Sequence, residues 1–191
     1  MEAAAKLISE KGYHETSMRD IAGELNMSAA SLYHYFPGKE DLVVALQLEC
    51  FQGLISRTEA RLNETGDDPV RRLYAFVSTH MRFFVENISL IRVLLHEDSC
   101  LGKANQDRVK EYKQQYVHMC ETLIQAVPRE EGAPAVDPKV VVFSLFGMMN
   151  WYYTWQHSAS EIPGQTLADD MTQIFLRGYQ SGKHAVSEFV N

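Results

Sequence analysis

The chain has 191 residues, of which 18 are Lys or Arg and 25 are Asp or Glu, so its formal net charge is −7. This balance excludes a polycationic protein that coats nucleic acid through bulk electrostatics, but it leaves room for a small DNA-reading surface. Hydrophobic residues make up 46% of the chain and charged residues 23%, which is typical of a globular protein with a sizeable core.

The cysteines and the N-terminal segment indicate the compartment. Three cysteines without a CxxC pair fit a reducing environment better than a disulfide framework. Met1–Ile8 lacks the apolar run of a signal peptide, so we expect a cytoplasmic protein. Val140–Ser160 carries no charged residue, but polar residues interrupt it, which favours a buried helix over a membrane span.

Apolar residues recur mostly at steps of three and four, and no segment alternates as a strand would. The pattern predicts an all-α fold of about nine helices. Two helix starts have a clear physical cause. Asp68-Pro69 and Asp137-Pro138 each place an N-cap carboxylate directly before a proline at the first helical position.

Two short helices joined by a tight turn are predicted near the N-terminus. Ser17, with Asp20 three residues later, can cap the first, and Ser28 can cap the second. Asn26-Met27 forms the turn between them. Helices this short are not stable alone, so we expect the flanking apolar segments Ala4–Ile8 and Leu42–Leu46 to complete a small core.

This pattern fits helix-turn-helix geometry, in which the second helix enters the DNA major groove. Small side chains at its start allow a close approach to base edges, and later hydrogen-bond donors can meet phosphates. The candidate DNA-binding residues are Thr16, Ser17, Arg19, Ser28, Ala29, Ala30, Ser31, Tyr33, His34 and Lys39. From spacing alone, a plain helical hairpin with a capped turn is an equal alternative.

The string ETSMRDIAGELNMSAASLYHYFPGKEDLVVAL resembles the DNA-binding segment of the TetR/AcrR family of bacterial transcriptional regulators. The resemblance rests on the Gly12-Tyr13 turn, the Ile21-Ala22 pair, Ser31-Leu32-Tyr33 and Lys39-Glu40-Asp41-Leu42. It implies recognition of DNA by Ala29, Ser31, Tyr33, His34 and Lys39, supported by Thr16, Ser17 and Arg19.

The same resemblance implies two domains and a mechanism. Residues 1–47 would form a three-helix DNA-binding domain, and residues 48–191 a helical ligand-binding and dimerisation domain. The expected function is that of a repressor that leaves a pseudo-palindromic double-stranded DNA operator when it binds a hydrophobic small molecule. Residues 1–47 hold four basic and seven acidic side chains, so we expect weak non-specific affinity and a need for two paired heads.

The second domain is rich in aromatic residues and methionine, which suit an apolar guest. The candidate ligand-binding residues are Tyr74, His80, Met81, Phe84, Tyr112, Tyr116, Phe143, Phe146, Asn150 and Trp151. For any one of them taken alone, a core or interface role is the favoured interpretation, and only the set as a whole favours a pocket. Phe143–Trp155 also resembles regulators of fatty-acid, phenylacetate or sterol breakdown, whose ligands are often acyl-CoA thioesters; an uncharged lipophile remains the alternative.

A homodimer is expected because the helix around Met148 is too apolar on all sides for a monomer surface, and a second apolar stripe follows it. The candidate interface residues are Gly147, Met148, Tyr152, Trp155, Met171, Ile174, Phe175 and Gly178.

Catalysis receives little support, because no GxSxG, HExxH, Walker or GxGxxG pattern occurs. His96, Glu97, Asp98 and Cys100 crowd one helix end without a second cluster to complete a metal site, so we expect neither a metal nor a cofactor. The rival interpretations are a helical lipophile-binding or carrier protein without DNA function and, more distantly, an all-α enzyme.

Overall fold

The computed structural model describes residues 1–96, 101–156 and 162–181. Within these residues the chain forms ten helical segments and no strand, which confirms the all-α prediction. The helices are α1 (Glu2–Lys11), α2 (Met18–Glu24), α3 (Ala29–Tyr35), α4 (Lys39–Glu64), α5 (Pro69–Glu86), α6 (Ile88–His96), α7 (Lys103–Ala126), α8 (Pro138–Asn150), α9 (Tyr152–Trp155) and α10 (Gly164–Gln180). The ninth is a single turn that follows α8 after one residue.

The chain divides into two compact units. The first, here called the head unit, comprises Met1–Ile55 and Glu86–Gln115. The second, here called the body unit, comprises Ser56–Val85 and the described part of Tyr116–Asn191. Helices α4 and α7 each contribute residues to both units. The predicted boundary at residue 47 falls inside α4, and it stays a prediction.

In the head unit, α1 packs against α2 and α6, and α2 packs against α3. Ala4–Ile8 and Leu42–Leu46 supply fully buried side chains, as expected from the shortness of α2 and α3. Helix α6 adds Ile91, which is also fully buried. The packing of α6 on α1 has no counterpart in the sequence prediction.

The helix starts follow the predicted capping chemistry. The Ser17 hydroxyl accepts from the Asp20 amide at 3.1 Å while the Asp20 carboxylate accepts from the Ser17 amide at 2.8 Å, which completes a capping box. These bonds from Ser17 hold the pKa of Asp20 below its usual value. Asp137 caps α8 by accepting from the Lys139 amide at 2.8 Å.

In the body unit, α8 packs against α9 and α10. The face of α5 that carries Leu73, Phe76, Val77 and Phe84 is buried. No helix in the described parts of the chain combines the length and apolarity needed to cross a bilayer. Residues 97–100, which include three of the four side chains weighed as metal ligands, lie outside the described residues.

Candidate DNA-binding surface and effector site

The turn between α2 and α3 has the backbone conformation that a tight connection requires. Asn26 adopts a φ of 53°, a left-handed conformation that asparagine tolerates better than most residues. The Met27 amide then donates to the Ala22 carbonyl at 2.8 Å. Ser28 caps α3 by accepting from the Ser31 amide at 3.0 Å. The predicted turn and cap are thus both present.

Helix α3 buries one side chain and exposes most of the others. Leu32 is buried, which anchors the helix to the core of the head unit. Ala30, Ser31 and His34 are exposed, and Tyr33 is 49% exposed. Ala29 is half-buried. Small side chains therefore lie at the N-terminal end of the exposed face, with hydrogen-bond donors one turn further on.

Ser17 and Arg19 are exposed at the start of α2, so both remain available at the surface. The structure corrects the expectation for Thr16. Its side chain is buried, and its hydroxyl donates to the Gly12 carbonyl at 2.8 Å, so it holds the α1–α2 turn instead of facing a phosphate.

Lys39 also differs from its predicted role, because its ammonium group is bonded inside the head unit. It donates to the Thr16 carbonyl at 2.8 Å and to the Tyr13 carbonyl. The same nitrogen lies 4.1 Å from the centre of the Tyr13 ring, within range of a cation–π interaction. Lys39 thus fastens the start of α4 to the segment that leads into α2.

Glu40 links the same end of α4 to the start of α7. Its carboxylate accepts from the Gly102 amide at 2.7 Å and from the Asn105 side-chain amide at 2.8 Å. The bond from Asn105, followed by that from Gly102, keeps the pKa of Glu40 below its usual value. Adjacent residues of α4 therefore hold the α1–α2 turn and the N-terminus of α7.

The body unit contains a compact aromatic cluster, defined here as Phe76, His80, Phe84, Tyr116 and Phe146. The His80 and Phe84 rings stack with centroids 4.1 Å apart, and the Phe76 and Tyr116 rings stack at 4.9 Å. Phe146 meets the His80 ring edge-on at 6.0 Å. Four of the predicted ligand-binding residues are thus brought together.

His80 is the polar centre of the aromatic cluster and is only 2% exposed. Burial lowers its pKa to about 3, although the neighbouring Asn150 side chain favours the protonated form. The ring is therefore neutral at physiological pH. Its Nδ1 atom lies 3.1 Å from the Tyr116 hydroxyl. Neither its Nε2 atom nor Asn150 Oδ1 has a hydrogen-bond partner among the described residues.

Other predicted ligand-binding residues lie away from this cluster. Tyr74 is bonded to Asp169 on α10 at 2.6 Å, and Tyr112 in the head unit accepts from Gln52 at 3.2 Å. Met81 is fully buried. Phe143 is 59% exposed and Trp151 is 63% exposed, so these two side chains lie at the surface of the body unit.

Helices α8 and α10 together expose an apolar surface, here called the α8–α10 surface. On the α8 side Val140, Phe143, Gly147 and Trp151 follow one another at steps of three and four, so they lie on one face. On α10, Ile174 is 64% exposed, and Gly178 is exposed one turn later. Val140 lies outside the predicted interface set, although its spacing from Phe143 places it on this face.

The remaining predicted interface residues differ in how far their side chains are buried. Tyr152, Met171 and Phe175 are buried within the body unit, so the structure assigns them to its core. Met148 and Trp155 are half-buried. The physical reason is that α8 packs against both α9 and α10, which buries one apolar side of the helix and leaves the other exposed.

Among the described residues, no three His, Cys, Asp or Glu side chains converge on a point where a metal ion could be held. Cys50 and Cys120 are both buried as free thiols, and burial raises the pKa of each well above its usual value. Neither is therefore poised as a thiolate at physiological pH.

A capped two-helix turn whose second helix is exposed is the arrangement of a helix-turn-helix DNA-binding motif. Residues 1–46 match the family model described as "Bacterial regulatory proteins, tetR family", and residues 66–179 match "Tetracyclin repressor-like, C-terminal domain". The chain belongs to the TetR family of transcriptional regulators, a family of regulators and not of enzymes.

Relatives agree with this assignment over nearly the whole chain. The fatty acid metabolism regulator protein of Bacillus subtilis is 21% identical over 182 residues, which cover 93% of this chain and 92% of that protein. The structure of PfmR from Thermus thermophilus is 29% identical with a TM-score of 0.82, covering 93% of this chain and 96% of PfmR. AibR, solved with isovaleryl coenzyme A and operator DNA, is 28% identical with a TM-score of 0.79, covering 91% of this chain and 94% of AibR.

We expect the Lys39→Met substitution to destabilise the head unit, because it leaves the Tyr13 and Thr16 carbonyls without their donor while keeping most of the side-chain volume. The expected loss is about 1–3 kcal/mol in the free energy of unfolding, measured by urea denaturation. Lys6→Met is the matched control, since Lys6 is exposed on α1. Equal stability of the two variants would contradict the anchoring role of Lys39.

The neutral, buried His80 predicts a pH dependence of stability. The unfolded chain binds the His80 proton below about pH 6.5, but the folded chain binds it only near pH 3, so lowering the pH through this range favours unfolding. His80→Phe should remove a slope of up to about 1.4 kcal/mol per pH unit from the unfolding free energy. Exposed His118 provides the control as His118→Gln, which should keep the wild-type slope. Parallel curves for wild type and His80→Phe would show that His80 is not the group responsible.

Proposed function

We propose that this regulator is a homodimeric repressor that reads a pseudo-palindromic operator through α3 and leaves it when a hydrophobic effector binds the body unit. Acyl-CoA thioesters are the effector class to test first. The observation that carries the proposal is the exposed face of α3, where small side chains precede Tyr33 and His34 behind a capped, tight turn.

DNA recognition would depend on the close approach of α3 to the bases and on a few side-chain hydrogen-bond donors. Ala30 and Ser31 are small and exposed, which permits the N-terminal end of α3 to approach base edges closely. Tyr33, His34 and Arg19 supply donors toward phosphates. Since the Lys39 ammonium is bonded to carbonyls, the head offers even fewer cations than its composition indicates, and non-specific affinity would be weak.

The α8–α10 surface is the proposed dimer interface. Phe143, Trp151 and Ile174 are each more than half exposed, which is unusual for large apolar side chains on neighbouring helices of a monomer. Two copies of α8 and α10 would form a four-helix interface, and exposed Gly147 and Gly178 would permit close backbone approach. To read a pseudo-palindrome, the two α3 helices of such a dimer would need to lie about 34 Å apart, one turn of DNA.

The proposed effector site is the aromatic cluster around His80. The stacked Phe, Tyr and His rings make buried, apolar surroundings with a few polar atoms, which suit a mainly apolar guest. Two relatives support an acyl-CoA: the Bacillus subtilis protein is named for fatty acid metabolism, and AibR was solved with isovaleryl coenzyme A.

We expect Tyr33→Phe to weaken operator binding, because each head loses one hydrogen bond of about 1 kcal/mol, and two heads together lose about 2 kcal/mol, or roughly thirtyfold. Fluorescence anisotropy with DNA flanking the protein's own gene would measure the affinity. Tyr35→Phe is the matched control, since Tyr35 is 67% exposed two residues further along α3. No specific, salt-sensitive complex with wild type would favour the carrier interpretation, and equal loss in both variants would remove Tyr33 from the contact set.

We expect Ile174→Glu and Phe143→Glu each to convert the protein to a monomer, because a carboxylate buried at an apolar interface loses its hydration without gaining a partner. Sedimentation velocity would show the halved mass. Val136→Glu is the control, because Val136 is an exposed apolar residue in the connection before α8. A stable dimer in both interface variants would place the interface elsewhere.

A further inference from the structure

Two polar atoms beside the aromatic cluster are buried without a partner. They are His80 Nε2 and Asn150 Oδ1, and both have essentially no contact with solvent. A buried polar atom without a hydrogen bond destabilises the folded state, so proteins retain few of them, and those retained need an explanation. The Asn150 side chain lies close enough to favour protonation of the His80 ring, but the two side chains form no well-aligned hydrogen bond with each other.

The described aromatic cluster beside these atoms is apolar, and none of its five residues carries a formal charge at physiological pH. Phe76 and Phe84 are almost fully buried, and Phe146 is largely buried. His80 itself is neutral because burial lowers its pKa to about 3. An anion entering this cluster would lose its hydration without meeting a cation among the cluster residues, which is a large cost. An uncharged polar group would lose much less and would regain hydrogen bonds.

Tyr116 fixes the ring that presents Nε2. Its hydroxyl lies 3.1 Å from His80 Nδ1, and its own ring stacks on Phe76. When the hydroxyl donates to Nδ1, the single ring proton resides on Nε2, which then becomes a donor. Tyr116 is therefore a positioning residue for His80, and a carbonyl or hydroxyl oxygen is the group that complements such a donor.

We propose that the effector places an uncharged oxygen, the carbonyl of a thioester or a hydroxyl, where it accepts a hydrogen bond from His80 Nε2, with its apolar chain on the rings of Phe76, Phe84 and Phe146. A hydroxyl would in addition donate to Asn150 Oδ1. This inference rests on the proposed effector site. It adds that free carboxylates are poor effectors and that His80 acts as a neutral hydrogen-bonding group, not as a cation.

The test compares octanol with octanoate, which share a chain and differ in the charge of the head group, and adds octanoyl-CoA with coenzyme A as its control. Isothermal titration calorimetry gives each affinity. Octanol and octanoyl-CoA should bind at least about tenfold more tightly than octanoate. A ratio of this size in the dissociation constants corresponds to the loss of about one hydrogen bond. His80→Phe should reduce this preference, and His80→Gln, which keeps an amide nitrogen near the Nε2 position, should restore part of it.

Thr79→Val is the matched control, because Thr79 is the neighbouring residue and also buries a side-chain oxygen without a partner. It should leave the preference for neutral probes unchanged. If octanoate binds as tightly as octanol and takes up a proton on binding, seen as a dependence of the enthalpy on buffer ionisation, His80 is serving as a cation and the inference is overturned. If His80→Phe leaves the preference unchanged, it is overturned as well.

A second measurement needs no effector. A double-mutant cycle of His80→Phe and Asn150→Leu measures whether the two side chains interact in the free protein. If they do not, their separate effects on the unfolding equilibrium constant should multiply in the double variant. If instead the side chains bond to each other as a structural pair, the second substitution will cost less than the first, which overturns the inference. Failure of wild type to bind operator DNA, or to leave it with any neutral probe, would count against the proposed function alone.

Discussion

The ammonium group of Lys39 connects three segments of the head unit at one point. It bonds the carbonyls on either side of the turn that follows α1, and Ser17, which caps α2, directly follows Thr16. Helix α3 packs against α2, to which it is joined by the tight turn at Asn26. Lys39 therefore ties the start of α4 to the turn that leads into α2, and the cost of partly burying the cation is offset by charge-assisted hydrogen bonds.

Local features of the fold were predictable because they depend on neighbouring residues. The capping box at Ser17 and the caps at Ser28 and Asp137 follow from side chains within three positions of the amides or side chains that they bond. The packing of α6 on α1 was not predictable, since the two helices are separated by about eighty residues and both carry ordinary apolar stripes. An apolar stripe shows that a helix packs against another element, but it does not identify that element.

The candidate sites were also predictable only where the signal is local to a few neighbouring residues. The exposed face of α3 could be predicted because Leu32 alone marks the buried side of a short helix. In α8 the sequence is apolar on every side, so periodicity cannot separate exposed Phe143 from buried Phe146. Lys39 illustrates a further limit: a cation near a DNA-binding helix fits a phosphate or a carbonyl equally well until the backbone around it is known.

The bonds of Lys39 and Glu40 have one more consequence, which is mechanical. Lys39 is bonded to the turn that leads into α2, and Glu40 is bonded to Gly102 and Asn105 at the start of α7. Consecutive residues of an α-helix point about 100° apart, so the two side chains hold the first turn of α4 from two directions. The start of α4 can therefore neither roll about its own axis nor slide along it without breaking hydrogen bonds to one of these two segments.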